Sequence, residues 1–329
     1  MFRVSALFII FSESAGAVFL ERCYSLQTTA LPERNFTGNI NNIFMRSSSV
    51  IAIIVSYNGE EKTRATVQAL MPQVDSILIV DNGSDAQSMR TLDELEKCEH
   101  VAIMRLGSNR GIGYALNAGL LHAQEQGAAW VLTMDQDSVA APGMVGAMLA
   151  AHARDTGAMC LSPNLVLHGE ARAAVHAGTV KYAITSGNLV NMDIYRSVGT
   201  YNEDYFIDCI DIEFSLRVRH AGFSITKVAD AVLYHELGAA HQVPKLFKRY
   251  YTLHSPLRRY YMYRNFMYFS QQYMRSDFRF TLKFGIAHGI LCMLVLFYDP
   301  QPRASLRMMA RGVRDFFSGK VGAYPLEKK

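Results

Sequence analysis

Carboxylates at two places in this chain have the type and spacing to do chemistry. Asp135-Gln136-Asp137 directly follows an apolar run, Trp130–Met134. Two carboxylates spaced i, i+2 on a non-helical turn let one reach a sugar hydroxyl and the other a hard divalent cation. An ordinary acidic turn is the plain alternative, and the place of the pair at a strand end favours function. Further on, Asp208, Asp211 and Glu213 crowd into Phe206–Arg217 (FIDCIDIEFSLR) among apolar residues. Burial beside like charges raises a carboxylate pKa and suits a base working near neutral pH. A helix N-terminus whose acids complement its dipole would look the same. His235, in the run LYHE, could offer a neutral imidazole to a metal or simply end a strand.

Two other polar clusters follow apolar runs. Asp81, in VDNGS, could accept a hydrogen bond from a nucleobase N–H or a ribose hydroxyl; turn formation or helix capping are the competing roles. Asn109 to Gly119 (NRGIGYALNAG) contains Gly111-x-Gly113. The full G-x-G-x-x-G spacing and an acidic ribose partner are both missing, which argues against a dinucleotide-binding dehydrogenase. A glycine-rich helix start could still hold phosphate through its N–H groups.

Such residues need strands to carry them. Ser49–Val55, Ser76–Val80, Val101–Arg105 and Trp130–Met134 are short, continuously apolar and rich in β-branched residues, as strands buried on both faces of a parallel sheet must be. Helical stretches lie between them at Glu60–Leu70, Ala86–Cys98 and Tyr114–Gln126. The alternation predicts a doubly wound α/β layer with its ligands at the carboxyl ends of the strands. Beyond about residue 150 the periodicity loosens. Thr185 to Asn188 reads as a turn, Ile207–Arg219 as a helix and Ile225–His235 as a strand.

The 329 residues, 50% hydrophobic and 19% charged, exclude a disordered or collagen-like chain. Five cysteines without a CxxC pair exclude a disulfide scaffold and favour a reducing compartment. The net charge of +4 hides an asymmetry. Residues 245–329 hold 16 Lys and Arg against 4 Asp and Glu, a net of +12, while residues 1–244 hold 17 against 25, a net of −8. A basic, aromatic tail on an acidic body calls for a polyanionic partner. Residues 1–48 give no firm pattern; the apolar stretch Val4–Leu20 is interrupted by Ser12-Glu13-Ser14.

Taken in order, SYN, VDNGS, NRGIGYALNAG, DQD, SGN, DIEFSLRVRHAGF and YHELG resemble the family-2 inverting glycosyltransferases of the GT-A fold, from about Val50 to Gly238. The tail segments HSPLRRYYMYRN, from His254, and RGVRDFFSGKVG, from Arg311, resemble the bacterial rhamnosyltransferase branch. The resemblance implies that Tyr57 and Asn58 line the nucleotide pocket, that Asp81 takes the base, and that Asn109 and Gly111 flank ribose and diphosphate. It makes Asp135 and Asp137 the D-x-D element holding Mg²⁺ or Mn²⁺, with His235 completing the shell. Asp211 falls at the catalytic base. Ile210 stands where many relatives carry a second acid, and Asp208 lies three residues earlier, so the base stays open between the two.

The expected architecture is therefore α/β: a GT-A type doubly wound, mostly parallel sheet with a helical, basic C-terminal region. The expected divisions are a nucleotide-sugar half at 49–150, an acceptor and catalytic half at 151–244, and the basic aromatic region at 245–329. The expected function is metal-dependent inverting transfer of a sugar, best L-rhamnose from a dTDP donor, to a lipid-linked or oligosaccharide acceptor. Another nucleotide sugar, a sugar nucleotidyltransferase and a non-catalytic scaffold are the alternatives. Nucleic acid is not the expected partner, and a homo-oligomer is left open. Phe278–Phe297 is broken by Arg279, Lys283 and His288, so it reads as a helix in the interface rather than across it. Ala304–Phe317, with apolar residues opposite Arg307, Arg311 and Arg314, supports this with the pattern of an interfacial helix. The expected place is the cytoplasmic face of the membrane.

Overall fold

The computed structural model describes residues 49–167, 177–235, 240–242 and 250–325. The extension at 1–48 and Glu236–Gly238 of the last motif lie outside these residues. The first half alternates as expected: β1 (Val50–Ser56), α1 (Glu60–Leu70), β2 (Ser76–Asp81), α2 (Ala86–Leu95), β3 (Val101–Arg105), α3 (Ile112–Glu125) and β4 (Trp130–Asp135). The strands pair in parallel in the order β3-β2-β1-β4. Ala52, Ile53 and Ile54 of β1 and Val131 and Leu132 of β4 are inaccessible to solvent. Strands covered on both faces have no polar side to alternate with, hence the unbroken apolar runs.

The chain continues through β5 (Ser138–Ala140), α4 (Met144–Arg154), β6 (Cys160–Leu167), β7 (Gly178–Val180), β8 (Asn188–Asn191), α5 (Met192–Val198), a 3-10 turn at Glu203–Tyr205, α6 (Ile210–His220) and β9 (Ile225–His235). β8 lies antiparallel to β4 and to β6, β6 runs parallel to β9, and β5 pairs antiparallel with β9. Residue 150 lies in α4, between strands β5 and β6 of one mixed sheet. Strands of three or four residues are too short to show a period, which is why this half reads poorly from sequence. The helix expected from Ile207 starts three residues later, because Phe206, Asp208 and Cys209 hold φ of +63°, +65° and +66°.

After the short hairpin of β10 (Ala240–Gln242) and β11 (Tyr250–Thr252) come α7 (Pro256–Tyr273), α8 (Phe278–Tyr298) and α9 (Pro302–Phe317). The Ser255 side chain caps α7 by accepting from the Arg258 N–H, and Pro256 supplies the preset φ of a first helical turn. The structure corrects the expectation for α9. Its apolar face is spent on the protein: Met309 is buried, Leu306 packs beside it, and Phe316 meets the Tyr268 ring at 4.8 Å. Phe317, 76% exposed, is the large apolar residue of α9 left in water. α9 can approach α7 closely because residue 312 is glycine; a Cβ there would stand 2.4 Å from the Tyr260 carbonyl oxygen.

That approach makes Gly312→Val an overpacking change, expected to cost about 1–3 kcal/mol in urea unfolding. Gly146→Ala, at an exposed position within α4 where a Cβ meets nothing within 4 Å, should instead stabilise by about 0.5–1 kcal/mol. Equal midpoints for the two variants would contradict both assignments.

Candidate active site

Sheet register builds one corner of the site. β4 delivers Asp135 at its carboxyl end, and Asp137 lies just before β5. Pairing of β5 with β9 sets Ser138 opposite His235, 97 residues away in the chain. Potential ligand atoms of Asp135, Asp137 and His235 consequently lie within 4.8 Å of one another, all three residues being buried. Gln136 faces the other way. Its Oε1 accepts from the Tyr57 N–H (2.7 Å) and its Nε2 donates to the Tyr57 carbonyl (3.0 Å), so the two carboxylates are tied to the loop after β1. Behind them, the Asp135 N–H donates to Ser186 Oγ, Ser186 donates to Ser138 Oγ, and Ser138 bonds His235 Nδ1 at 2.7 Å. This chain of hydroxyls fixes the imidazole, as outer partners of metal ligands do.

The corner fits a cation by its charge. Asp135 Oδ2 is buried with no hydrogen-bond partner. Burial first, and then the neighbouring charges of Asp137 and Asp211, push the Asp135 carboxyl well up, with Arg258 opposing. Buried carboxylates with one opposing guanidinium leave uncompensated negative charge, which a divalent cation on hard oxygen ligands relieves.

A cleft of about 610 Å³ adjoins this corner, lined by Tyr57, Asn82, Asn109, Gly111, Asp135 and Asp137 among others. Two expected nucleotide contacts do not line it. Asn58 ties neighbouring loops together, its Oδ1 accepting from the Asp85 N–H and its own N–H donating to Ser84 Oγ. Asp81 is buried, and its Oδ1 accepts from the Ser84 N–H. Asn82, next to it, does line the cleft and was missed in the sequence. Its Oδ1 accepts from the Arg110 N–H at 2.8 Å, while Asn109 Oδ1 accepts from the Gly111 N–H. The Ile112 N–H goes to the Phe206 carbonyl. At this helix start the N–H groups of Arg110, Gly111 and Ile112 are spent within the protein. Gly111, at φ +92°, is needed for the close approach itself, since a Cβ would lie 2.7 Å from the Phe206 oxygen.

A second cleft, of about 770 Å³, shares Ile112 and Ile207 with the first and is lined by Asp208, Asp211, His235, Arg258, Phe284 and His288. Here the three acids of the 206–217 segment separate. Glu213 is buried and held by Arg217 Nε (2.7 Å), Arg217 Nη2 (2.9 Å) and the Tyr273 hydroxyl (2.9 Å). Asp208 receives Arg258 through Nη2 (2.8 Å) and Nε (3.1 Å). Asp211 accepts from backbone N–H groups, that of Ile212 at 2.9 Å and its own. Burial raises its carboxyl to about 6, the Ile212 bond and Arg258 pulling down and Asp208 pushing up.

The loop that aims Asp211 is held from the C-terminal region. Asn265 Nδ2 donates to the carbonyls of Tyr205 (2.8 Å) and Ile207 (2.7 Å), and Arg264 Nη2 donates to that of Asp204 (3.0 Å). Arg258, Arg264 and Asn265 received no role from the sequence. The Ser-Pro helix start at 255–256 was the signal that set them on one helix facing the loop.

A mixed, mostly parallel sheet with an acid–acid–histidine corner beside a two-part cleft is an architecture of GT-A type. Residues 51–185 match the family model described as Glycosyl transferase family 2. Among its relatives is the dTDP-rhamnosyl transferase RfbF of Shigella flexneri, 28% identical over 239 residues, spanning 67% of this chain and 79% of that protein. The galactofuranosyltransferase GlfT1 of Mycobacterium tuberculosis is 25% identical over 250 residues, spanning 67% and 81%. Two solved structures share the fold. GalNAc-T7 with UDP, GalNAc and Mn²⁺ superposes with a TM-score of 0.57 at 12% identity, over 82% of this chain and 56% of that one. The mannosyltransferase PcManGT from Pyrobaculum calidifontis, in complex with GDP-Man and Mn²⁺, gives 0.52 at 15% identity, over 84% and 76%.

Asn265→Ala leaves the Tyr205 and Ile207 carbonyls without this partner, and each buried orphan costs about 1–3 kcal/mol. Turnover should fall by at least about tenfold, because the segment that aims Asp211 loses these bonds. Unchanged turnover in a folded Asn265→Ala protein would remove the loop-holding role.

Proposed function

We propose that the protein is a metal-dependent inverting glycosyltransferase that moves L-rhamnose from a dTDP donor to a hydroxyl of a glycan or lipid-linked acceptor. The observation that carries the mechanism is the separation of the three acids: Asp208 and Glu213 are bound to arginines, and Asp211 faces the cleft with a raised pKa. In this reading the donor lies in the first cleft, near Tyr57, Asn82, Asn109 and Gly111. The acceptor enters the second, and Ile112 and Ile207 mark the boundary. Asp211 takes the acceptor proton as its oxygen attacks the anomeric carbon and the bond to the diphosphate breaks. One displacement inverts the configuration. Asp208 is not the base here; it anchors Arg258, the cation nearest the reacting groups. Asp135, Asp137 and His235 would hold Mg²⁺ or Mn²⁺, as similar folds with Mn²⁺ suggest. Bound there, the cation supplies Lewis-acid neutralisation of the departing diphosphate.

The rhamnosyl donor rests on the likeness to RfbF. A galactofuranosyl donor is the second reading, favoured by the likeness to GlfT1. Supplying purified protein and an acceptor lipid extract with a panel of nucleotide sugars, and measuring released nucleotide, separates them; a preference for neither donor overturns both. The unpaired thiols of Cys98, Cys160, Cys209 and Cys292 suit the expected cytoplasmic location.

Three outcomes follow for the chemistry. The base works as a carboxylate, so kcat/KM should fall with unit slope as pH drops below about 6. Asp211→Asn should lower transfer by about 10²-fold or more with donor binding intact, and Asp208→Asn should not mimic it. A carboxyl whose pKa is raised in the fold costs stability once the pH exceeds its unfolded value, so Asp211→Asn should hold or raise Tm at pH 7. A lower Tm would argue that Asp211 is structural. For the metal, calorimetric titration with Mn²⁺ should detect one site that His235→Ala or Asp137→Asn weakens at least about tenfold. Exhaustive chelation should abolish transfer, and full turnover after it would overturn the metal assignment.

A further inference from the structure

α8 is the one helix among the described residues long and apolar enough to cross a bilayer, and it does not have the surroundings of a crossing helix. Its inner face, with Phe280, Phe284, His288, Leu291 and Val295, is buried in the protein. Its outer face is not covered. Phe278, Leu282, Ile286, Ile290, Met293 and Phe297 recur three or four residues apart and are 39–67% exposed. Recurrence at that spacing puts them on one stripe along the whole helix. A continuous apolar stripe of this length is uncommon on a protein surface without a partner.

The charges around the stripe say what the partner is. The three acids described beyond residue 250 are all turned inward. Asp277 bonds His220, Asp299 accepts from Ser305 and the Gln301 N–H, and Asp315 is held by Lys320 and Tyr260; none is more than 18% exposed. The exposed charges are basic: Arg275 and Arg279 at the start of α8, and Arg303 and Arg307 after its end. A second copy of the same face would set cation against cation. Nucleic acid is disfavoured because the α7 tyrosines that could stack on bases, Tyr260, Tyr261 and Tyr273, are buried. An anionic lipid surface satisfies both the stripe and the flanking arginines.

We propose that α8 lies flat in the interface of an anionic bilayer, with its outer stripe among the upper acyl carbons and Arg275, Arg279, Arg303 and Arg307 on headgroup phosphates. Its inner face stays on the protein. Pulling the helix across the membrane would expose Thr281 and His288, both buried polar groups, to hydrocarbon. Phe284 and His288 also wall the second cleft, so lipid would sit about one helix diameter, roughly 10 Å, from it. If that cleft takes the acceptor, as proposed above, a lipid-linked acceptor would arrive from the side of α8. This last clause rests on the proposed function; the docking itself does not.

Flotation of the full chain with vesicles tests the docking without any sugar chemistry. Phosphatidylcholine vesicles containing a quarter phosphatidylglycerol should carry the protein upward, and phosphatidylcholine alone should carry much less. Ile286→Glu with Met293→Glu should cut the floated fraction at least about tenfold. Arg275→Glu with Arg279→Glu should remove the preference for the anionic lipid. Because all four residues are exposed, Tm and nucleotide binding should stay unchanged, which separates lost docking from misfolding. Equal flotation of the Ile286/Met293 variant, or no flotation of the parent, overturns the proposal. So does a dimer in light scattering that the same variant splits, since that would make the occupant a second copy.

Discussion

Phe206, Asp208 and Cys209 hold backbone conformations that side chains normally avoid, and the site depends on keeping them there. Such strain persists only where surrounding bonds over-determine it. Asn265 and Arg264, both fully buried, supply those bonds by donating to carbonyls of the segment, and the Ile112 N–H takes the Phe206 oxygen from the other side. The strained segment is thereby pinned between α3 at the first cleft and α7 at the C-terminal region. Asp211, the second residue of α6, inherits its position from both. A helix that looks like an appendage in the sequence is a wall of the active site.

The electrostatics follow from the same placement. α7 begins at Ser255 so that Arg258 emerges in its first turn, opposite Asp208. This guanidinium opposes the upward push on the carboxyls of both Asp135 and Asp211. With it, the excess negative charge is reduced and concentrated at the Asp135–Asp137–His235 corner. Arg258 Nη1 is itself buried without a hydrogen-bond partner, so its positive charge is only partly answered by Asp208. Acid and base groups are thus held apart by what each is bonded to, although the sequence sets them side by side.

Much of the first half was legible. Continuous apolar runs gave β1 to β4 within a residue or so, since burial on both faces leaves an unambiguous pattern, and α1 and β9 matched their expected limits. The D-x-D element, His235 and the acidic segment were visible as residue types, and the structure brings them to one place. What stayed hidden depends on register and on distant partners. Nothing local to Asp208 says that Arg258 will neutralise it. Nothing local to Asn82 says that its amide will organise the loop at Arg110. The misreading of α9 has a related cause: an amphipathic helix has the same pattern whether its apolar side meets lipid or protein. α8, which looked less amphipathic, carries the uncovered stripe because both of its faces are apolar and α7 covers just one.

The pairing of β5 with β9 also orders events during synthesis. Tyr57, Asn82, Asn109, Asp135 and Asp137 leave the ribosome early, and the first cleft they line is completed by Phe206 and Ile207. Asp211 follows Asp137 by 74 residues and His235 follows it by 98, and His235 reaches the corner through the pairing of β9 with β5. A chain ending before residue 206 would therefore hold Asp135 and Asp137 without His235, without Asp211 and without one wall of the first cleft.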